Sequence, residues 1–191
     1  MPVEDSDQSL AVRAGEGDRR AFDQLVGIHK GPLFRLARNY VGSQEDAYDL
    51  VQDAFISAWL AIRRYDPDRD FSAWLRTITL NKCRDFARRQ SVRRKVLRLF
   101  AWEQATQSPH YNHPDGAEAD DLVGGRLAAL QAAIAELPAF YKEPLLLTAV
   151  SGLSHQAAAV QLKTTAKAIE MRIRRGKQRL AKALGNPSPE G

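Results

Sequence analysis

In the first half of this chain apolar residues recur every three or four positions and show no sustained alternation. That pattern argues against sheets there, because a half-buried strand needs a period of two and a helix one near 3.6. The clearest case runs from Gln44 to about Arg64, where Ala47, Leu50, Val51, Ala54, Phe55, Ala58 and Ile62 make one continuous stripe. Asp46, Asp49, Gln52 and Asp53 make an acidic and polar stripe beside it. Ile56, Trp59 and Leu60 broaden the apolar surface, so this helix is expected to be covered on two sides. No Asn-Gly hairpin signal interrupts the pattern.

Punctuation divides the rest of the first half into helices. A short one is expected from about Asp7 to Gly15, with Leu10, Ala11 and Ala14 inward. Asp18 is a good N-cap for a helix carrying Phe22, Leu25, Val26 and Ile28. Gly31-Pro32 predicts a break or kink, after which Leu33, Phe34, Leu36, Ala37 and Tyr40 resume the pattern. Gly42 ends that segment and Ser43 can cap the next. Tyr65 to Asp70 reads as a turn.

Asp70 to Lys95, DFSAWLRTITLNKCRDFARRQSVRRK, begins as an amphipathic helix with two contrasting sides. Phe71, Trp74, Leu75, Ile78, Thr79 and Phe86 fall on one. Arg76, Leu80, Arg84 and Arg88 fall roughly opposite, with Asn81 at the edge. An exposed leucine among arginines suits a surface that meets both phosphates and bases. From Arg88 to Arg98 every charge is positive, and the chain's formal net charge is +5. A polyanionic partner is expected. The single cysteine, Cys83, permits no internal disulfide and no cysteine zinc cluster. It is expected as a small half-buried side chain in a protein of the reducing cytosol. The opening MPVEDSDQSL is acidic and polar, so no secretory leader is expected, and no apolar run approaches the ~20 residues that span a bilayer.

Past Leu97 the character changes. Residues 97–120 hold turn formers and few apolar repeats, and read as a flexible linker with a frayed helical start. Phe100, Trp102 and Tyr111 can dock on either side of it. His110 and His113 lack further ligands, so neither metal nor cofactor is expected. From Asp121, Leu127, Leu130, Ile134 and Leu137 repeat at helical spacing up to Pro138. A second helix carries Tyr141, Leu145, Leu146, Leu147 and Val150, and Gly152 ends it. Ser154 caps a third helix, His155 to Leu162. A short turn, Lys163-Thr164-Thr165, leads into a final helix reaching about Leu184. Two helices joined by a tight turn, the second basic, is the helix-turn-helix pattern. Ala166, Ile169, Ile173, Leu180 and Leu184 form the inner face of the last helix. Lys167, Met171 and Arg174 are placed to meet base edges in a major groove, and Thr165 at the helix start counts among the DNA-binding residues of this motif. Arg172, Arg175 and Lys177 are placed to grip phosphates.

These motifs resemble one family. Trp74, Leu75, Ile78, Asn81, Asp85 and Arg88 are spaced as in the promoter-melting segment of bacterial sigma factors of the extracytoplasmic-function (ECF) group. Glu45 to Phe55, EDAYDLVQDAF, resembles the segment that meets the clamp helices of RNA polymerase. Leu137-Pro138, Leu145 to Leu147, Gly152 to Ser154 and Arg172 to Lys177 resemble the domain that reads the minus-thirty-five element. His155 to Ala158, Lys163, Glu170 and Met171 depart from that family's usual residues, which puts the promoter sequence in doubt.

The resemblance implies an all-α protein of two small helical domains. Residues 1–96 would dock on polymerase through Asp46, Asp49, Gln52 and Asp53, and melt the minus-ten element with Arg76, Leu80, Asn81, Arg84 and Arg88. Residues 97–120 would be the linker, 121–185 the helix-turn-helix domain, and 186–191 a disordered tail. It implies core RNA polymerase, promoter DNA and an anti-sigma factor, often membrane-bound, as partners of a cytoplasmic non-enzyme that is not itself a membrane protein. The energetics agree with a large partner. Opening roughly ten base-pair steps costs about 14 kcal/mol at ~1.4 per step. A whole specific protein–DNA complex supplies about 11–15 kcal/mol. The rivals fit less well. A free-standing helix-turn-helix repressor leaves the acidic stripe and the Trp74–Arg88 segment without a job. A nucleic-acid enzyme lacks its H-x-E…C-x-x-C pattern or Gly-rich phosphate loop.

Overall fold

The computed structural model describes the backbone of residues 6–101 and 121–185, with side chains described to Arg94 and again from Gly124. Trp102, His110, Tyr111 and His113, with the rest of the linker from residue 102 to 120, and the tail from residue 186 lie outside the described residues, as does the side chain of Phe100, while the first linker residues, 97–101, continue as helix. Every regular element among the described residues is helical.

Four helices build the first unit: α1 (Asp7–Gly15), α2 (Arg19–Val41), α3 (Gln44–Ala61) and α4 (Phe71–Ala101), with a 3-10 turn at Ile62–Arg64. The ends are set by the residues expected to set them. Asp18 accepts from the amides of Arg20 and Ala21, and Ser43 from that of Asp46. Gly42 closes α2 in the left-handed region at φ 85°, where a side chain would be strained. α2 does not break at Gly31-Pro32. It runs on as one helix with Pro32 inside. The buried set Phe22, Leu25, His29, Leu33, Leu36, Ala37 and Tyr40 stays in helical register across the proline. Continuous burial on one face therefore outweighs the missing amide donor and the ring's crowding of the preceding turn.

α5 (Asp121–Glu136), α6 (Ala139–Ala149), α7 (His155–Gln161) and α8 (Ala166–Ala183) form the second unit, in which α5, α6 and α7 all pack on α8. Pro138 is the N-cap of α6, and Gly152 comes after α6 at φ 68°. Ser154 and Thr165 cap α7 and α8 by accepting from the amides of Ala157 and Ala168. The apolar repeat of α5 is buried only toward its end: Ile134 and Leu137 are enclosed, and Leu127 is exposed.

The two units touch. α2 packs against both α5 and α6, and Gly42 marks a near approach, where an added Cβ would lie 3.1 Å from that of Ala135.

Candidate nucleic-acid interface

The acidic stripe of α3 is split by the fold. Asp49, Gln52 and Asp53 lie on open surface. Asp46 is half-buried in a cleft of about 260 Å³ between the units, which Phe86, Arg94, Glu136 and Lys142 also line. Ile56 and Leu60 continue the Asp49–Asp53 row along the helix and are 59% and 79% exposed. Only Trp59 of the added apolar trio is drawn in, against Phe22 at 4.9 Å. The expectation that α3 is covered on two sides therefore does not hold within the described chain. Its outer row is free and ends in two exposed aliphatic side chains.

α4 departs further from its sequence reading. Leu80 is 1% exposed and cannot be the solvent-facing leucine among arginines. Phe71, Leu75, Thr79 and Cys83 succeed one another four residues apart as the buried row, and Leu80 extends the enclosed arc to about half the helix. The apolar face is thus wider than a single stripe, because α1, α2 and α3 all pack on α4 and the second unit reaches its other flank. Cys83 is fully enclosed rather than half-buried, and burial pushes its thiol up to about 12.

The polar residues of that flank are engaged. Arg76 is largely covered and lines a cleft of about 350 Å³ with Ser72 of its own helix and Val150 and Ser151 of the second unit. Burial lowers its pKa, opposed by Asp70, which lies 3.5 Å away. Arg84 donates from Nε and Nη2 to the two oxygens of Glu143, both at 2.6 Å. It also donates to Oδ1 of Asn81 at 2.8 Å, and its bonds to Glu143 raise its pKa. Asn81 itself is exposed. Arg88 is exposed and pairs only loosely with Asp85 at 3.1 Å.

Three residues that sequence reasoning missed hold this contact. Glu143 is 6% exposed and also accepts from the Tyr40 hydroxyl at 3.2 Å. Lys142, 3% exposed, donates Nζ to the carbonyls of Tyr40 and Ala135 and sits over the Tyr40 ring at 4.5 Å. Burial brings its pKa down to about 8. Gln161 of α7 donates Nε2 to the Ala73 carbonyl at 2.8 Å and to Thr77 Oγ1 at 2.6 Å. One signal was available. Lys142-Glu143 interrupts an otherwise apolar helix just before three buried leucines, and charges placed there need partners.

On α8, Lys167, Met171, Arg174, Arg175 and Lys177 are exposed along the helix, and Thr165 is held as its cap. Arg172 is committed elsewhere: its guanidinium stacks on Phe140 at 4.1 Å and reaches Thr164 Oγ1 at 3.3 Å. It buttresses the turn, and its reach to a phosphate is reduced. Among the described residues no group of three or more His, Cys, Asp or Glu is placed to hold a metal ion. No helix among them is long and apolar enough to cross a membrane.

Two separate basic helices, each in its own helical unit, match two separate family models. Residues 25–93 match Sigma-70 region 2, and residues 127–180 match Sigma-70, region 4. The chain is 37% identical over 188 residues to the RNA polymerase sigma factor CnrH of Cupriavidus metallidurans, covering 96% of this chain and 97% of that one. It is an RNA polymerase sigma factor of the ECF group.

Other relatives agree. The sigma factor is 32% identical to the ECF RNA polymerase sigma factor SigE of Mycolicibacterium smegmatis, over 98% of its own length and 73% of that relative's. A solved structure of CnrH in complex with the cytosolic domain of CnrY superposes with a TM-score of 0.68 at 34% identity, covering 95% of this chain and 99% of that one. The sigma factor RpoE of Bartonella quintana, solved with the anti-sigma factor NepR, gives 0.59 at 24% identity and speaks to the fold alone. As a member of this family the sigma factor is a transcription initiation factor: it binds core RNA polymerase, directs it to promoters and promotes melting of the DNA.

Proposed function

We propose that the division of labour matches the two units. The exposed row Asp49, Gln52, Asp53 on α3 docks on polymerase, with Asp46 joining it if the cleft opens. Arg76, Asn81, Arg84 and Arg88 on α4 serve the minus-ten element, Leu80 supporting the helix from within. On α8, Lys167, Met171 and Arg174 read the minus-thirty-five element, and Arg175 and Lys177 hold phosphates. Residues 1–96 and 121–185 are the working domains, joined by 97–120. The chain carries out no catalysis of its own, works in the cytoplasm, and is restrained by an anti-sigma factor. That last part is supported by its likeness to CnrH, a chain solved in the grip of another protein's cytosolic domain.

The observation that carries the reading is the pairing of two basic helical faces with two family matches in this order. The test is to mix the purified chain with sigma-free core polymerase and a fluorescent promoter library, and to select opened DNA. Sequences sharing two short elements at a fixed spacing are the expected result. If core polymerase makes no difference and the chain binds closed duplex alone, the helix-turn-helix repressor reading replaces this one.

A further inference from the structure

The bidentate bond between Arg84 and Glu143 has the geometry by which an arginine fork holds a phosphate. Glu143 belongs to the second unit and Arg84 to the α4 face that serves the minus-ten element, a reading on which this inference rests. The carboxylate is nearly enclosed, and both its oxygens are used by Arg84, one of them also by Tyr40. Gln161 pins the start of the same face through Ala73 and Thr77, and Val150 and Ser151 lie across the cleft from Arg76. Three points of the second unit thus converge on one flank of α4. A DNA strand laid along that flank would have to displace them.

We propose that Glu143 is an internal competitor for a nucleic-acid phosphate at Arg84, so that the second unit caps the strand-binding flank of α4 in the free chain. The cap must swing away before the minus-ten strand is captured. Without polymerase, the chain's apparent affinity for that strand is reduced by the fraction of molecules that are open.

Glu143→Gln keeps the side chain's size, removes its charge and leaves one acceptor where two were used. Gln161→Ala removes the second anchor without touching the core. The probe is a fluorescent single-stranded oligonucleotide carrying the minus-ten element obtained from the promoter selection, titrated with the free chain, with circular dichroism and thermal melting verifying that each variant is folded. Glu143→Gln is expected to tighten strand binding by about tenfold, the gain available when roughly a tenth of the parent is open. Gln161→Ala is expected to give a smaller gain in the same direction, and both to enlarge the radius of gyration in solution scattering. Folded variants that bind the strand as the parent does, with an unchanged radius, overturn the proposal. Adding Asn81→Ala or Arg88→Ala to Glu143→Gln tests the underlying reading separately. If neither lowers strand binding, that reading of α4 has failed. Scattering then decides the cap alone: an unchanged radius overturns it, and an enlarged one sustains it.

Discussion

Lys163 is the one non-glycine residue with a positive φ, 51°, among the described residues. It occupies the turn between α7 and α8, where the family resemblance leads one to expect glycine, and the backbone shows why: this turn passes through the left-handed region. A Cβ there costs about 1 kcal/mol. Lys163→Gly is therefore expected to stabilise the second unit by roughly 0.5–1 kcal/mol, read as a higher midpoint in urea unfolding. Lys142 gives a second prediction at this scale. Its amine faces Tyr40 and Cys83 of the first unit, Glu143 and Glu136 of its own, and Arg94 across the cleft. Burial lowers its pKa from 10.5 to about 8 in the closed form, so opening takes up a proton between those values. Rising pH in that window therefore favours the closed form, by up to about 1.4 kcal/mol per unit. Scattering between pH 7.5 and 9.5 should show the parent compacting as pH rises, and Lys142→Met should show no such trend. In the closed form Cys83, held up at about 12 by burial, stays protonated throughout that window.

At the scale of elements, α3 and α8 each offer an exposed row whose role is separable from stability. Among the described residues no hydrogen bond or ion pair on which packing depends involves Asp49 or Asp53, so Asp49→Arg and Asp53→Arg should leave the melting temperature within about a degree or two. Each should weaken binding to core polymerase by about 1 kcal/mol, most visibly at low salt. Arg174→Ala should likewise leave the fold intact. It should relax selection in the upstream element by about 1–3 kcal/mol at the base it meets, measured by repeating the promoter selection. The helices themselves were legible from sequence because their signals are local. Asp18, Ser43 and Ser154 cap the helices that begin beside them, and Gly42 stops the helix that ends beside it. Pro32 does not end α2, because the penalty of an internal proline is local, whereas the burial that overrides it belongs to the assembled bundle. Leu80 misled for a related reason. A helix wheel assigns one buried stripe, and α4 is packed over half its circumference by neighbours that its own spacing does not reveal.

At the scale of the whole molecule, what the sequence hid is the contact between the units. Arg84 and Glu143 are 59 positions apart, and nothing in local pattern links them. The contact makes a demand on function. On the proposed division of labour, with one unit at the minus-ten element and the other upstream, the chain has to open on promoter DNA, so a tether across the closed contact should block opening without unfolding either unit. Thr77 and Gln161 meet across it at 2.6 Å, and the native thiol, Cys83, is fully buried and out of reach of a water-soluble reagent. Thr77→Cys with Gln161→Cys, joined by a short cleavable bismaleimide, should retain the parent's helical content and fail to open promoter DNA with core polymerase. Cleaving the linker should restore opening to the level of the unlinked double variant. A tethered chain that opens promoters as well as the cleaved one would mean that the two units act from the closed arrangement. The interface would then be a rigid scaffold, and the pairing of Arg84 with Glu143 part of it.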